Sequence, residues 1–264
     1  MMKKRRFVEL GMAVLLLASA FLLSREGARL VSKEAEGKKG VIVVDAGHGG
    51  MDPGVVGIKK LEEKEINLKI SKKLQKLLEK EGYQVIMTRS EDGGLYDADS
   101  RNKKVQDMQK RCELIKEKQP LLTVSIHQNS YPDEAVCGPQ VFYFTHSSEG
   151  GKLAKCIQDA MNSQLDVSRP RIEKANSTYY LLKRSEGILN IVECGFLSNT
   201  REAGLLESDE YQDRWQKQSG TAFLHIWETN RNEFKMQGNP EAATHRTVSD
   251  TVCVCTPAVV KPNV

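Results

Sequence analysis

The sequence has no C-x-x-C pair among its six cysteines, at 112, 137, 156, 194, 253 and 255. That excludes a structural zinc knuckle, which needs closely spaced thiolates, and leaves free thiols as the expectation. There is no G-x-x-x-x-G-K-[ST] loop, so the chain lacks the backbone cradle of a P-loop. There is no G-x-S-x-G, and Cys194 beside Glu193 has no evident histidine base, which argues against a nucleophilic hydrolase. Charge of one sign is missing too. The 39 basic residues face 35 acidic ones for a net charge of +4, too even a balance for nucleic acid as the principal partner. No internal repeat interrupts the chain.

What is present begins with an export signal. Lys3, Lys4, Arg5 and Arg6 precede an uncharged apolar run from Leu10 to Leu23. A basic region followed by a short apolar core is the layout of a secretory signal, and the run falls short of the roughly 20 residues of a bilayer-spanning helix. Residues 1–24 are expected to be a signal or an uncleaved membrane anchor, and either exports the chain. Residues 25–40 are charged and glycine-containing and read as a linker. Residues 41–230 carry one folded domain, and 231–264, without any sustained period, read as a flexible tail.

Within the domain, apolar runs alternate with helical patterns. Strands are expected at 41–44, 83–88, 120–127, 138–144 and 188–193. Helices are expected at about 61–80, 105–118, from about 151, and at about 209–229, with a polar loop at 90–103. This alternation predicts an α/β single domain, a mostly parallel twisted sheet flanked by helices on both faces.

The stretch "VIVVDAGHGG" ends a buried strand in a histidine among glycines. The helix that would have to receive a phosphate starts well after Gly50, so a metal is the better reading. Sites in parallel α/β sheets form beyond the carboxyl ends of the strands. Two of the five histidines stand there: His48 after the first strand and His127 at the end of "TVSIH". A third candidate is Glu63. At about 100° per residue it lies in line with the apolar stripe of Ile66, Ile70, Leu74, Leu77 and Leu78, whereas Glu62 and Glu65 point away. The helix dipole accounts for an acid in a first turn, but not for one on the buried face. Glu193 ends the strand "ILNIVE", where a carboxylate at the mouth of a sheet can serve as general base. Lysines in "SKKLQKLLEKEG" form a solvated helix face, and His146, His225 and His245 have no motif around them.

The motifs "VDAGHGGMDPGVVG", "EKEINL", "VIMTR", "SIHQNS" and "VECGFLSN", in this order, resemble those of the zinc-dependent N-acetylmuramoyl-L-alanine amidases, the amidase-3 family. The resemblance runs from about Val41 to Thr229. It implies one zinc ion per chain held by His48, Glu63 and His127, with Glu193 as the catalytic glutamate. The implied reaction is hydrolysis of the amide between N-acetylmuramic acid and the L-alanine of the stem peptide in peptidoglycan. "VIMTRSED" and "QKRCELI" are similar to the spore-cortex subgroup, whose action leads to muramic-δ-lactam, the mark read during germination. Asn129 is a candidate for binding substrate or for orienting His127. Gly47, Gly49 and Gly50 are expected to let backbone approach metal and glycan.

Two features depart from the pattern. Ile188 stands where many relatives have proline, and Asn190 is a polar residue inside a strand. Rival readings are a zinc carboxypeptidase, an anchored wall-binding protein without catalysis, and a vegetative amidase of division or autolysis. The first needs H-x-x-E, and the second should lack a ligand or the base, yet all four residues are present. A need for an activating protein partner is left open.

Overall fold

A computed structural model describes residues 39–165 and 167–217, with single positions 12, 19, 24 and 220. The expected signal or anchor and tail, and the end of the last helix, lie outside the described residues. Among the described residues no helix is long and apolar enough to cross a membrane.

Six strands, β1 (Val41–Ala46), β2 (Gln84–Met87), β3 (Leu122–Asn129), β4 (Gln140–Phe144), β5 (Lys174–Asn176) and β6 (Leu189–Phe196), form one sheet in the order β2-β1-β3-β6-β4-β5. β2, β1, β3 and β6 run parallel. β4 pairs antiparallel to β6, and β5 runs parallel to β4. The sheet is therefore mixed and mostly parallel, as expected. The β-branched residues of Val41–Val44 suit a strand buried on both faces.

The helices are α1 (Glu63–Lys80), α2 (Lys103–Lys118), α3 (Ser148–Gln164), α4 (Tyr180–Arg184) and α5 (Thr200–Glu207). Residues 209–217 are helical too, with Tyr211 and Trp215 buried as packing residues. α1 packs on β1, β2 and β3 through Ile66, Ile70, Leu74 and Leu78, one apolar stripe of i, i+4 spacing. Leu77 is only half-buried. On the opposite face, Val43, Leu189 and Ile191 meet Ile115 of α2 and Leu181 and Leu182 of α4. α2 starts where the Asn102 side chain accepts a bond from Val105 N, and α3 where Ser147 Oγ accepts from Gly150 N.

Asn190 is fully buried, and its Nδ2 donates to Gly150 O at 2.9 Å. Its polarity ties the amino end of β6 to α3, away from the carboxyl ends of the strands. Cys112, Cys137, Cys156 and Cys194 form no disulfide among the described residues.

The chain leaves β1 for β2 on one side and returns to β3 on the other, so the strand order reverses between β1 and β3. A crevice opens at such a switch point, beyond the strands' carboxyl ends. His48 follows β1 there, and His127 lies near the end of β3.

Candidate metal centre

Three of the four residues expected from the sequence cluster tightly. One ligand atom from each of His48, Glu63 and His127 lies within 4.8 Å of the others. His48 Nε2 is 3.2 Å from Glu63 Oε2, and His127 Nδ1 is 2.9 Å from Glu63 Oε1. Ligands about 2.1 Å from a tetrahedral zinc stand about 3.4 Å apart, so these spacings fit one small ion between the three side chains. The two imidazoles meet edge to face at 4.9 Å. The donor set, two nitrogens and a carboxylate, is that of a catalytic rather than a structural zinc site.

Two of the three candidate ligands, His48 and Glu63, are fixed from behind. His48 Nδ1 bonds Asp52 Oδ2 at 2.9 Å, which leaves Nε2 turned to the cluster. Glu63 is 2% exposed and accepts from Val55 N, Gln128 N and Asn67 Nδ2. Asn67, one turn after Glu63 on the same face, also donates to Gly47 O and accepts from Gln128 Nε2. Burial pushes the Glu63 carboxyl up, but the hydrogen bonds and charges of His127 and His48 outweigh it and hold it well below the usual carboxylate range. The same pairing acts on His127: burial lowers its pKa, and the Glu63 hydrogen bond and charge raise it to about 9.

Glycine makes the approach possible at two points. A Cβ on Gly47 would stand 2.3 Å from the His127 ring, and one on Gly54, whose φ is +68°, would stand 2.5 Å from Glu63 Oε2. Gly49 and Gly50 do something else than expected. They abut Gly93, Arg89 and Tyr96, making room for the 90–103 loop rather than for a metal. That loop closes on the turn after His48 through Asp92 Oδ1, which accepts from Gly50 N, and the Tyr96 hydroxyl, which accepts from Met51 N.

Glu193 stands opposite His127 in the β3–β6 register. It is 8% exposed, and its Oε2 is buried without a hydrogen-bond partner among the protein atoms. Burial, helped by the charge of Glu63, pushes its carboxyl up to about 7, against the opposing pull of His127 and His48. A buried carboxylate oxygen with no partner is costly unless something else occupies that space when the site works.

Two clefts meet at the cluster, and both are lined by His48, His127 and Glu193. The larger, of about 500 Å³, runs past Tyr96, Lys103, Lys104 and Tyr179. The smaller, of about 310 Å³, runs past Gln128, Asn129 and Ser130. Asn129 thus lines a cleft. Its Oδ1 accepts from Ser130 N, and among the described residues it makes no hydrogen bond to His127, which is braced by Glu63 instead.

Sequence reasoning did not assign the layer beneath the site. Asp45 is fully buried with Arg111, Ser125 and Thr88 around it. Burial raises its pKa, but the Arg111 charge and the Ser125 and Thr88 hydrogen bonds bring it down to about 2. Arg89 donates to Ala46 O and Gly47 O, and Arg111 to Ala46 O and His48 O. His48 itself has φ 61°, left-handed backbone that costs a non-glycine residue about 1–2 kcal/mol. "VIMTR" and "QKRCELI" contain these arginines, but the carbonyls they hold at the exit of β1 are 42 to 65 positions away.

Comparison with known proteins identifies the family. Residues 42–223 match the amidase-3 family model, described as N-acetylmuramoyl-L-alanine amidase. The germination-specific N-acetylmuramoyl-L-alanine amidase of Bacillus subtilis is 35% identical over 177 residues, 66% of this chain and 74% of the relative. The CwlD amidase from Clostridioides difficile, solved in complex with the GerS lipoprotein, superposes with a TM-score of 0.69 at 34% identity, covering 72% of this chain and 99% of that one. The amidase AmiC2 of Nostoc punctiforme gives a TM-score of 0.63 at 28% identity, over 71% and 97%. The chain belongs to the amidase-3 family of N-acetylmuramoyl-L-alanine amidases, hydrolases of peptidoglycan.

Proposed function

We propose that this amidase is zinc-dependent, with His48, Glu63 and His127 as ligands and Glu193 as general base, and that it acts on spore cortex. The observation that carries the mechanism is the buried, unpartnered Glu193 Oε2 beside the His–Glu–His cluster. Zinc, when bound, supplies Lewis-acid polarisation of the scissile carbonyl and a more acidic water. Glu193 takes a proton from the attacking water and hands it to the departing amine of L-alanine. Asp52 holds the His48 imidazole in place, and Asn129 contacts substrate from the smaller cleft. The two clefts accommodate glycan and stem peptide on either side of the bond that breaks.

The likeness to a germination-specific amidase and to CwlD supports the cortex reading. Residues 41–230 form the catalytic domain, and the N-terminal segment carries it out of the cytoplasm as an anchor or cleaved signal. The GerS complex of the CwlD relative supports a protein partner for this chain as well.

The test is zinc content and release of L-alanine amino termini from peptidoglycan, for the chain and for Glu193→Ala. About one zinc per chain is expected in both, with activity only in the parent. Zinc without activity on any muropeptide refutes the substrate, and an active variant refutes the base. For the cortex role, spores lacking the gene should lack muramic-δ-lactam, and normal lactam content would refute it.

A further inference from the structure

Three successive carbonyls at the exit of β1, those of Ala46, Gly47 and His48, are each captured by a guanidinium group. Arg111 is the one that reaches His48 itself, with Nη2 2.8 Å from His48 O while Nη1 holds Ala46 O at 3.0 Å. Arg111 is 1% exposed, and its guanidinium is fixed on its other edges. Asp45 Oδ1 accepts from Nη1 at 2.5 Å, and Asp107 Oδ2 accepts from Nε at 2.6 Å. Asp107 is itself anchored, since its Oδ1 accepts from Leu95 N in the loop that walls the larger cleft.

We propose that Arg111 is a positioning residue that holds the left-handed backbone of His48, and so aims His48 Nε2 at the metal. The proposal rests on the metal-centre reading above. A strained conformation persists only where its surroundings over-determine it, and here the carbonyl of the strained residue receives a buried, charge-assisted hydrogen bond. The planar fork of arginine serves acceptors in several directions at once, which the point charge of lysine cannot reproduce. A purely structural role predicts something different: loss of Arg111 would lower the stability of the fold and leave the ligand geometry of the folded protein unchanged.

The experiment uses the full chain as wild type, Arg111→Lys and Asp107→Asn. Zinc affinity is read by chelator competition, the cobalt-substituted visible spectrum reports ligand geometry, and circular dichroism reports folding. Arg111→Lys is expected to weaken zinc about 10- to 100-fold, the usual cost of losing a partner behind a ligand, and to alter the cobalt spectrum. Asp107→Asn, which keeps the Asp45–Arg111 pair, should weaken zinc several-fold in the same direction. Folded variants that bind zinc within twofold of wild type and give its cobalt spectrum overturn the proposal. If Arg111→Lys does not fold, Asp107→Asn decides: several-fold weakening supports the role and unchanged affinity overturns it. A wild-type chain that binds no zinc overturns the metal-centre reading, and the proposal falls with it.

Discussion

Asp45→Asn is the most informative perturbation of stability, because the structure allows its cost to be worked out twice. Asp45 is 1% exposed, and its carboxyl is held at about 2 against an ordinary 3.8. A carboxyl depressed on folding stabilises the protein above its unfolded pKa and loses that contribution as pH falls. The gap corresponds to about 2 kcal/mol at neutral pH. The second route is the partner left behind. Removing one member of a buried ion pair costs about 3–5 kcal/mol, and the lower end applies here because Asp107 still faces Arg111 at 2.6 Å. Asparagine keeps the shape and one acceptor for Arg111 and Thr88, so no cavity adds to the cost. A loss of about 2–3 kcal/mol at pH 7 is expected. Urea unfolding with zinc chelated measures it free of metal linkage. The difference between wild type and variant should shrink as pH falls from about 5 towards 2, and roughly half of the charge contribution should remain at pH 3. A loss below about 1 kcal/mol, or a gap that does not change with pH, refutes the assignment of Asp45 as the buried counter-charge.

Two further outcomes are expected at the cluster. Glu63→Gln should abolish tight zinc binding and, in the metal-free protein, lower the His127 pKa from about 9, because the Glu63 hydrogen bond and charge that oppose burial most are lost while only the weaker Glu193 and Asp45 charges remain; imidazole shifts in an NMR titration report it, and an unmoved His127 contradicts the pairing. Gly54→Ala places a Cβ 2.5 Å from Glu63 Oε2 at a φ of +68°, so zinc affinity should fall at least about 10-fold by chelator competition, and an unchanged affinity argues against a tight ligand cradle there.

Much of this arrangement is legible in the sequence, and the reason is local. β1, β3 and β6 show as short apolar runs, and α1 as a stripe of 3.6-residue period, so the residues at their ends can be placed without knowing the fold. That is how His48, Glu63, His127 and Glu193 stand out. The short elements do not show. β5 has three residues, α4 five and α5 eight, too few for a period to emerge. The antiparallel insertion of β4 beside β6 is likewise invisible, because strand order is a property of long-range pairing. The groups that hold the ligands escape for the same reason. Asp52 sits in a turn whose pairing with His48 depends on a left-handed backbone, and Arg111 acts on a carbonyl 63 residues away. Sequence shows the candidate ligands at the ends of periodic elements, two after strands and Glu63 in the first turn of α1, whereas their supports come from turns and helices that only the fold brings beside them.

Glu63 and Glu193 are both nearly buried, at 2% and 8% exposure, so burial alone cannot sort their roles. Donors sort them. Glu63 receives two backbone N–H groups, an amide and two imidazoles, and is held in the ionised form that a ligand must have. Held ionised among these donors and turned to the two imidazoles, it is the poorer acceptor for a water proton. Glu193 has a free, buried Oε2 and a carboxyl pushed up to about 7, the condition in which one group can both accept and return a proton near neutral pH. The environments that push the two carboxyls apart are a single construction, because the charge of Glu63 is one of the causes that raise Glu193.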